Sequence, residues 1–336
     1  MLKKLVYWCG RKYALGLKLR DKVLPSSIMV SVVLSSFLTA IIILVGVAFF
    51  IVTERKGLGI VQLRQGPNKV GLKGLVQPLS DGVKLLTKGF SIPAAANPIL
   101  FVFGPILCFF IRYIRWVIYP LAFCRSFFKY SVLFFIRVSC LNVYGLILVG
   151  WSSNCQYGLL GRMRAVAQSI SYELIISTVI ICSLLFLSRL ELFLYRDIGF
   201  SFIFVCIEAI VIWFITVLAE TNRAPFDFVE GESELVAGYN VEFGGFGFAL
   251  IALAEYGAIL FIRMITGLLF FGGFIPLRIV GNICAGLLVV VVSYIIVCVR
   301  GAYPRFRYDQ LIEFCWVKLL PVSLGLFILS VGIVIL

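Results

Sequence analysis

The chain of 336 residues contains no histidine. Histidine is the usual proton carrier near neutral pH, the commonest zinc ligand and the proximal ligand of most haems. Any protons that this chain handles must therefore move along carboxylates, tyrosines, serines and water. Catalytic triads that depend on histidine are excluded as well.

Closely spaced cysteines are also absent. The ten cysteines are spread along the chain, and none forms a CxxC or CxxxC pair of the kind that holds zinc or iron–sulfur clusters. Several lie in apolar runs, where a thiol behaves as a small hydrophobic group. The chain also lacks a P-loop, a GxSxG nucleophile elbow and an HExxH motif. We therefore expect no metal site, and no cofactor bound covalently or by metal ligation.

Charged residues are scarce, at 14% of the chain against 62% hydrophobic residues. A soluble fold of this size needs more polar surface, so most of the surface must face lipid or other protein. Runs long enough to cross a bilayer predict an all-α integral membrane protein of about eight transmembrane helices. We expect one polytopic membrane domain at 28–336, after a basic N-terminal extension at 1–27. The predicted spans are 28–52, 99–119, 132–150, 165–187, 198–219, 243–265, 279–299 and 316–336.

The net charge of +14 would suggest nucleic acid binding in a soluble protein. Here many bases lie in short connections and in the first 22 residues, which is typical of contact with lipid headgroups. We expect membrane lipids, including anionic ones, as partners and no nucleic acid. The N-terminal bases fit a transit peptide or an amphipathic membrane-surface segment, and we favour the second because no serine precedes Ser26. If those bases are discounted, the connections after the odd-numbered spans lie on the inner side.

The first connection, residues 53–97, is much longer than those around it. Its glycines, Gly57 and Gly59 among them, predict that no continuous helix forms in its first half. From Leu75 onward an apolar stripe with the period of a helix predicts an interfacial amphipathic helix. That helix is either a headgroup-binding surface or one wall of an opening for an amphiphilic ligand. The stripe comprises Leu75, Val76, Leu79, Val83 and Leu86.

The connection at 220–242 concentrates negative charge in a basic chain. It contains six acids and only one base, Arg223. Because like charges repel, some of these carboxylates should hold a proton near neutral pH and could relay protons. The alternative is a solvated acidic loop that docks on a basic partner. Three further acids lie within apolar spans, where a carboxylate is a functional hypothesis by default: Glu173, Glu208 and Glu255.

Four ordered stretches of the chain carry a resemblance to one known family. They are ERK at 54–56 with QLRQGPN at 62–68 and QP at 77–78; WSSN at 151–154 with ISYE at 170–173; AETNR at 219–223 with PFD at 225–227, EGESELV at 230–236 and AEY at 254–256; and YPRFRYDQ at 303–310. Over roughly residues 28–336 the chain resembles membrane subunit 1 of NADH–ubiquinone oxidoreductase, the quinone-chamber (H-type) subunit of respiratory complex I.

The resemblance implies a core subunit of a proton-translocating enzyme that transfers electrons from NADH to ubiquinone. The expected partners are the peripheral-arm subunits of the quinone site and the neighbouring membrane subunits. FMN and iron–sulfur clusters would belong to those partners, and ubiquinone would be the substrate. By motif, the quinone tunnel would be lined by Arg55, Gln62, Asp81, Phe226 and Arg300.

The resemblance also implies a chain of carboxylates that couples quinone chemistry to proton pumping. Its members would be Glu54, Glu173, Glu220, Asp227, Glu230, Glu232, Glu234 and Glu255. Three features depart from the family pattern. Gly89 follows Lys88 where an acid is usual, the first 25 residues have no counterpart in compact members, and the basic stretch at 112–129 has no role that the resemblance assigns.

Other readings remain open from the residues alone. The homologous membrane subunit of an energy-converting hydrogenase or related dehydrogenase would share much of the fold. The intramembrane acids also allow an independent proton-coupled transporter, although no inverted repeat is evident. The 31 phenylalanines and ten cysteines favour an organelle-encoded protein of the mitochondrial inner membrane, with a bacterial plasma membrane as the alternative.

Overall fold

The computed structural model of the protein describes residues 26–118, 130–187, 190–192, 207–227, 242–271 and 278–335. Across these ranges the regular secondary structure is helical, without a strand. The predicted all-α membrane fold is confirmed. The N-terminal extension falls almost wholly outside the described residues, as do Glu230, Glu232 and Glu234 of the acidic connection.

Ten α-helices follow one another along the described residues, and apolar runs account for most of them. They are α1 (Ser26–Val61), α2 (Gln77–Thr87), α3 (Pro98–Ile114), α4 (Ser131–Ser152), α5 (Gln156–Leu187), α6 (Ile207–Glu220), α7 (Gly245–Phe271), α8 (Arg278–Ala302), α9 (Tyr308–Glu313) and α10 (Leu320–Ile335). Short 3₁₀-helices occupy Leu72–Gly74 and Arg115–Ile118, and the π-helical segment Phe314–Leu319 joins α9 to α10.

Six helical stretches among the described residues are long and apolar enough to cross a membrane. They correspond to the predicted spans one, two, three, four, six and eight. The seventh span is represented by the shorter apolar helix Gly286–Ala302. The fifth, predicted at 198–219, is described only from residue 207, where α6 runs for 14 residues. The total of eight spans therefore stays a prediction.

The prediction that no continuous helix forms in the first half of the first connection is confirmed from residue 62 to 71, but it is wrong for the glycines before them. Helix α1 continues through Gly57 and Gly59 and ends at Val61. The helix ends in a Schellman-type turn, in which the Arg64 backbone N–H donates to the Gly59 carbonyl at 2.8 Å. Glycines are tolerated at these positions because a side chain of another helix and the backbone of the following turn pack closely against them. A Cβ at Gly57 would lie 2.8 Å from Cγ1 of Val297 in α8.

The amphipathic helix of the first connection is confirmed as α2, which packs against α1 and α7. All five side chains of the predicted apolar stripe are exposed, including Leu79 at 70%. Proline at its start suits the first turn of a helix, where the missing N–H has no intrahelical partner. Its exposed apolar surface is available to lipid or an amphiphilic ligand.

The main core lies where α5, α6, α7 and α10 meet. Trp213 of α6 is its largest buried side chain, and its indole N–H donates to the Thr266 hydroxyl of α7 at 2.9 Å. A second cluster joins α3, α4 and α7 around Phe101, whose ring stacks on Phe243 with centroids 4.2 Å apart. These contacts hold the helices that carry the polar residues described next.

Candidate functional site

A polar cluster at the membrane-surface end of α1 links it to α2. Arg55 Nη1 donates to Asp81 Oδ2 at 2.7 Å, and Gln77 Nε2 donates to Asp81 Oδ1 at 2.8 Å. Half of the Arg55 side chain is exposed, so this pair contributes little to stability. Gln62 is exposed just beyond the end of α1 and contacts the Leu58 carbonyl through its backbone N–H. The structure thus brings Arg55 and Asp81 together, beside the exposed stripe of α2.

Glu54, which directly precedes Arg55 in the chain, is 4% exposed and faces several arginines. Arg300 of α8 donates from Nη1 to Glu54 Oε1 at 2.6 Å, and Arg223 Nη1 lies 3.6 Å from the same oxygen. Arg263 of α7 also interacts electrostatically with this carboxylate. Glu54 Oε2 has no hydrogen-bond partner within the described ranges. The single carboxylate thus ties α1 to α7, to α8 and to the turn after α6.

The turn after α6 sets the position of Arg223. Asn222 adopts a left-handed backbone conformation (φ 49°), which asparagine tolerates better than most residues. The Arg223 backbone N–H then donates to the Leu218 carbonyl at 3.2 Å, which closes a Schellman-type helix end. Because the chain turns back here, the Arg223 side chain reaches Glu54 instead of extending into the acidic connection.

Aromatic rings cover the guanidinium groups beside Glu54. Arg223 Cζ lies 4.6 Å from the centroid of the Tyr256 ring, and Arg263 Cζ lies 4.2 Å from that of Phe50. A cation over an aromatic face is attracted by the ring quadrupole, more strongly where water is excluded. These rings therefore stabilise buried positive charge that exceeds the single negative charge of Glu54.

The carboxylate next to Tyr256 in the chain, Glu255, faces α3. Arg112 Nη1 lies 3.9 Å from Glu255 Oε1, and Arg112 Nε donates to Asn142 Oδ1 of α4 at 3.0 Å. Arg112 is 5% exposed. The contact therefore joins α3, α4 and α7 inside the helix bundle.

Glu220, at the end of α6, faces Arg115 in the 3₁₀ turn after α3. Arg115 Nη1 lies 3.9 Å from Glu220 Oε1, and both side chains are almost fully buried. Glu173 of α5 interacts electrostatically with Glu220 and Arg115, and it is hydrogen-bonded with Cys140 of α4. Two predicted carboxylates are thus brought together around one arginine.

Phe226 is buried rather than open, with 7% of its surface exposed. Its ring is nearly parallel to that of Phe306, with centroids 5.8 Å apart. Gln168 Nε2 fixes the segment by donating to the Ala219 carbonyl at 2.8 Å and to the Phe226 carbonyl at 3.1 Å. Oδ1 of the neighbouring Asp227 is buried and has no hydrogen-bond partner among the described residues.

The site contains arginines that the sequence-based prediction of the site omitted. Arg112, Arg115 and Arg263 are at most 5% exposed. Arg112 and Arg263 stand inside apolar runs, and arginine within a membrane span is itself a signal of function. That signal could have identified them. By contrast, Glu208 is exposed at the first turn of α6 and stands apart from the cluster.

The glutamates of the site lie beside arginines that compensate their negative charge. From Glu54 the contacts run through Arg223 to Tyr256, and Glu255 adjoins Tyr256 in the chain. Glu255 is paired with Arg112, and Arg115, three residues later, is paired with Glu220 and interacts electrostatically with Glu173. In the part of the chain that the structure describes, no group of three or more Cys, Asp or Glu side chains could hold a metal ion.

Comparison with known proteins identifies the chain's relatives. The model of the family described as "NADH dehydrogenase" matches residues 34–331. The chain belongs to this family. The resemblance inferred from the four ordered stretches is confirmed, and the family is that of the complex I membrane subunit.

Individual relatives agree in name and in length. The NADH-ubiquinone oxidoreductase chain 1 of Aedes aegypti is 43% identical over 303 residues, which cover 89% of this chain and 95% of the relative. The protein of the same name from Heterololigo bleekeri is 45% identical over 297 residues, covering 87% and 94%. That of Anopheles gambiae is 44% identical over 304 residues, covering 89% and 95%. Members of this family are subunits of an oxidoreductase complex.

Proposed function

We propose that this chain forms the access tunnel for ubiquinone and the first carboxylates of the proton-coupling path in a proton-translocating NADH:ubiquinone oxidoreductase. Electrons would arrive from FMN and iron–sulfur clusters in partner subunits, because this chain is proposed to carry no redox centre. The partners would be the peripheral-arm subunits of the quinone site and neighbouring membrane subunits. The proposed location is the mitochondrial inner membrane.

The observation that carries the proposal is the presence of three groups of buried ionic contacts, around Glu54, around Glu255, and around Glu220 with Glu173. Moving a charged group out of water is costly unless it is paired, and replacing a buried ion pair with apolar residues is often neutral or stabilising. A chain that served only as a membrane anchor would gain little from so many buried charges. Carboxylates that can take up and release protons explain their presence, since the sequence offers no imidazole.

The surface between α1 and α2 supports the tunnel part of the proposal. A quinone with an isoprenoid tail combines a long apolar chain with a polar head. The exposed leucines and valines of α2 suit the tail, and the Arg55–Asp81 pair offers polar contacts close by. For Gln62 and Phe226 the roles follow from the family motif, and the burial of Phe226 suits a supporting position behind the tunnel wall.

The carboxylate path is tested by Glu220→Gln in the assembled complex. We expect slower ubiquinone reduction with fewer protons translocated per NADH, while NADH oxidation by a hydrophilic artificial acceptor is unchanged. Glu208→Gln is the matched control, because Glu208 is an exposed carboxylate on the first turn of the same helix. Glu232→Gln extends the test to the acidic connection. Normal turnover and normal proton yield in both Glu220→Gln and Glu232→Gln would refute the path.

The tunnel is tested by labelling the complex with a photoreactive ubiquinone analogue. We expect labelled peptides from α1 or from the segment at 53–97. A short-tailed, water-soluble quinone in excess should compete for the label near the head-group site only. Labelling confined to other subunits would count against the tunnel assignment.

A further inference from the structure

The end of helix α3 carries two buried arginines whose role the family resemblance leaves unassigned. Arg112 lies in the last turn of α3, and Arg115 begins the 3₁₀ turn that follows. Residues three apart on a helix lie on neighbouring parts of one face. The two guanidinium groups therefore extend from a single helix end, where the negative end of the helix dipole favours positive charge.

The contacts of Arg112 fix the direction of its side chain. Its Nε donates to the Asn142 amide oxygen at 3.0 Å, so the other end of the guanidinium faces α7. There Nη1 lies 3.9 Å from Glu255 Oε1, with the arginine side chain 6% and the glutamate side chain 17% exposed. At 3.9 Å the two groups are beyond hydrogen-bond length, so they interact through charge.

Arg115 is more deeply buried and faces two carboxylates. Its side chain is 1% exposed, and Nη1 lies 3.9 Å from Glu220 Oε1. Glu173 belongs to the same group electrostatically. When the two carboxylates hold one proton between them, the single remaining negative charge balances the positive charge of the guanidinium. A proton can then move between the two carboxylates without leaving a net charge in the bundle.

A fixed positive charge nearby lowers the free-energy cost of a buried carboxylate that has lost its proton. Arginine keeps its proton in proteins, so it does not exchange protons with its neighbours. When the proton leaves the carboxylate for the next acceptor, the negative charge that remains is already compensated at about 4 Å, where the attraction is strong in a poorly solvated interior. When the proton returns, the arginine is unchanged.

We propose that Arg112 and Arg115 are positioning residues of the proton path, and that each supplies the fixed positive charge that compensates a buried carboxylate. Arg112 serves Glu255, and Arg115 serves Glu220 together with Glu173. The proposal rests on the proposed function, since it names the groups that keep its carboxylates exchangeable. It also assigns a role to the first two bases of the stretch at 112–129.

The test compares Arg115→Met with Arg115→Lys in the assembled complex, and Arg112→Met with Arg112→Lys. We expect each methionine variant to slow ubiquinone reduction and its coupled proton translocation by roughly tenfold, because the compensating charge is lost. The lysine variants should keep most of the rate. Lysine carries the charge but lacks the planar fork of arginine, so rescue by lysine indicates a role for charge and not for hydrogen-bond geometry.

Arg137→Met is the matched control, because Arg137 is an exposed arginine on the neighbouring helix α4. It should leave both activities unchanged. Assembly is checked in every variant by native-gel migration and by NADH oxidation with a hydrophilic artificial acceptor. Normal coupled activity in the methionine variants would overturn the proposal. A lysine variant that is as inactive as its methionine counterpart, or that fails to assemble, would overturn it too.

The comparison with Glu220→Gln separates this inference from the proposed function. If Glu220→Gln is impaired while Arg115→Met is normal, the carboxylate path stands and the role of the arginine is wrong. If Glu220→Gln itself is normal, the carboxylate path fails at that residue, and the role proposed for Arg115 fails with it.

Discussion

Glu54 is the residue at which buried charge is most concentrated. Its carboxylate accepts a 2.6 Å hydrogen bond from Arg300 and lies 3.6 Å from Arg223. Removing one partner of a buried pair leaves the other charge uncompensated, which costs far more than the pair itself contributes. The family motif gave Glu54 a role in proton coupling, and its surroundings show that it also holds four segments of the chain together.

We predict that Glu54→Gln destabilises the protein by about 3–5 kcal/mol, because Arg300 and Arg223 lose their shared negative partner. The measurement is the thermal inactivation midpoint of the complex in solubilised membranes, together with the amount that assembles. Asp81→Asn is the control at the exposed pair with Arg55, where the expected cost is about 0.2–1 kcal/mol. Equal effects of the two substitutions would contradict the difference in burial.

Helices α1 and α8 approach each other closely at glycines. A Cβ at Gly57 would meet Val297 Cγ1 at 2.8 Å, and a Cβ at Gly301 would meet Val61 Cγ1 at 2.7 Å. Small residues at a helix–helix contact let the backbones approach, which is the usual basis of helix association in membranes. This contact also brings Arg300 of α8 within reach of Glu54 of α1.

Gly57→Leu should therefore force α1 and α8 apart, at a cost of about 1–3 kcal/mol. We expect a lower thermal midpoint and, because Arg300 moves away from Glu54, a lower rate of ubiquinone reduction. Gly46→Ala is the control on the same helix, because no atom lies within 4 Å of a Cβ built there. A Gly57→Leu protein as stable as Gly46→Ala would show that the close approach is unimportant.

Helix α2 presents its apolar residues outward, whereas its sequence period alone predicts only that they share one face. If the stripe guides the quinone tail, the double substitution Leu79→Ser and Leu86→Ser should raise KM for a long-tailed quinone by about tenfold. KM for a short-tailed quinone should be unchanged, since it lacks the apolar chain. Ser80→Ala, on the same exposed helix, is the control. Equal changes for both quinones would argue for a general loss of structure.

At the scale of the whole molecule, the connections after the odd-numbered spans meet on one side. The Phe306 backbone N–H donates to the Pro225 carbonyl at 3.1 Å, and the Asn97 N–H donates to the Ser152 carbonyl at 3.1 Å. Glu54, Arg223 and Arg300 belong to the ends of three of these spans. The contacts around Glu54 therefore lie towards that face of the bundle.

The sidedness of the chain is tested with an impermeant thiol reagent on cysteines introduced at two exposed positions, Asn68 and Tyr130. Asn68 follows α1 and Tyr130 precedes α4, so the two cysteines should react from opposite sides of the membrane. With the positive face inside, Asn68→Cys should react in inverted vesicles and Tyr130→Cys in right-side-out ones. The parent protein, with its native cysteines, gives the background. Reaction of both from one side would refute the arrangement.

Several features of the fold and the site could be predicted because they are local. The apolar runs set the membrane class and most span positions, and α2 follows from a stripe repeated along one helix. Glu173 and Glu255 are identifiable because a carboxylate within an apolar span is costly, although the same rule also selected Glu208, which is exposed. The end of α1 was mispredicted, since the glycines there are tolerated through packing against α8 and the following turn.

The sequence by itself thus determined that this is a helical membrane protein without imidazole chemistry, and it predicted the carboxylates that we propose hold protons. Only the tertiary structure decided which arginines lie beside Glu54, Glu220 and Glu255. Arg300 is 246 residues from Glu54 along the chain, and Arg112 of α3 is paired with Glu255 of α7. Periodicity is a property of one segment and can be read from its residues. Ion pairing between distant segments depends on how the helices pack, which local pattern does not specify.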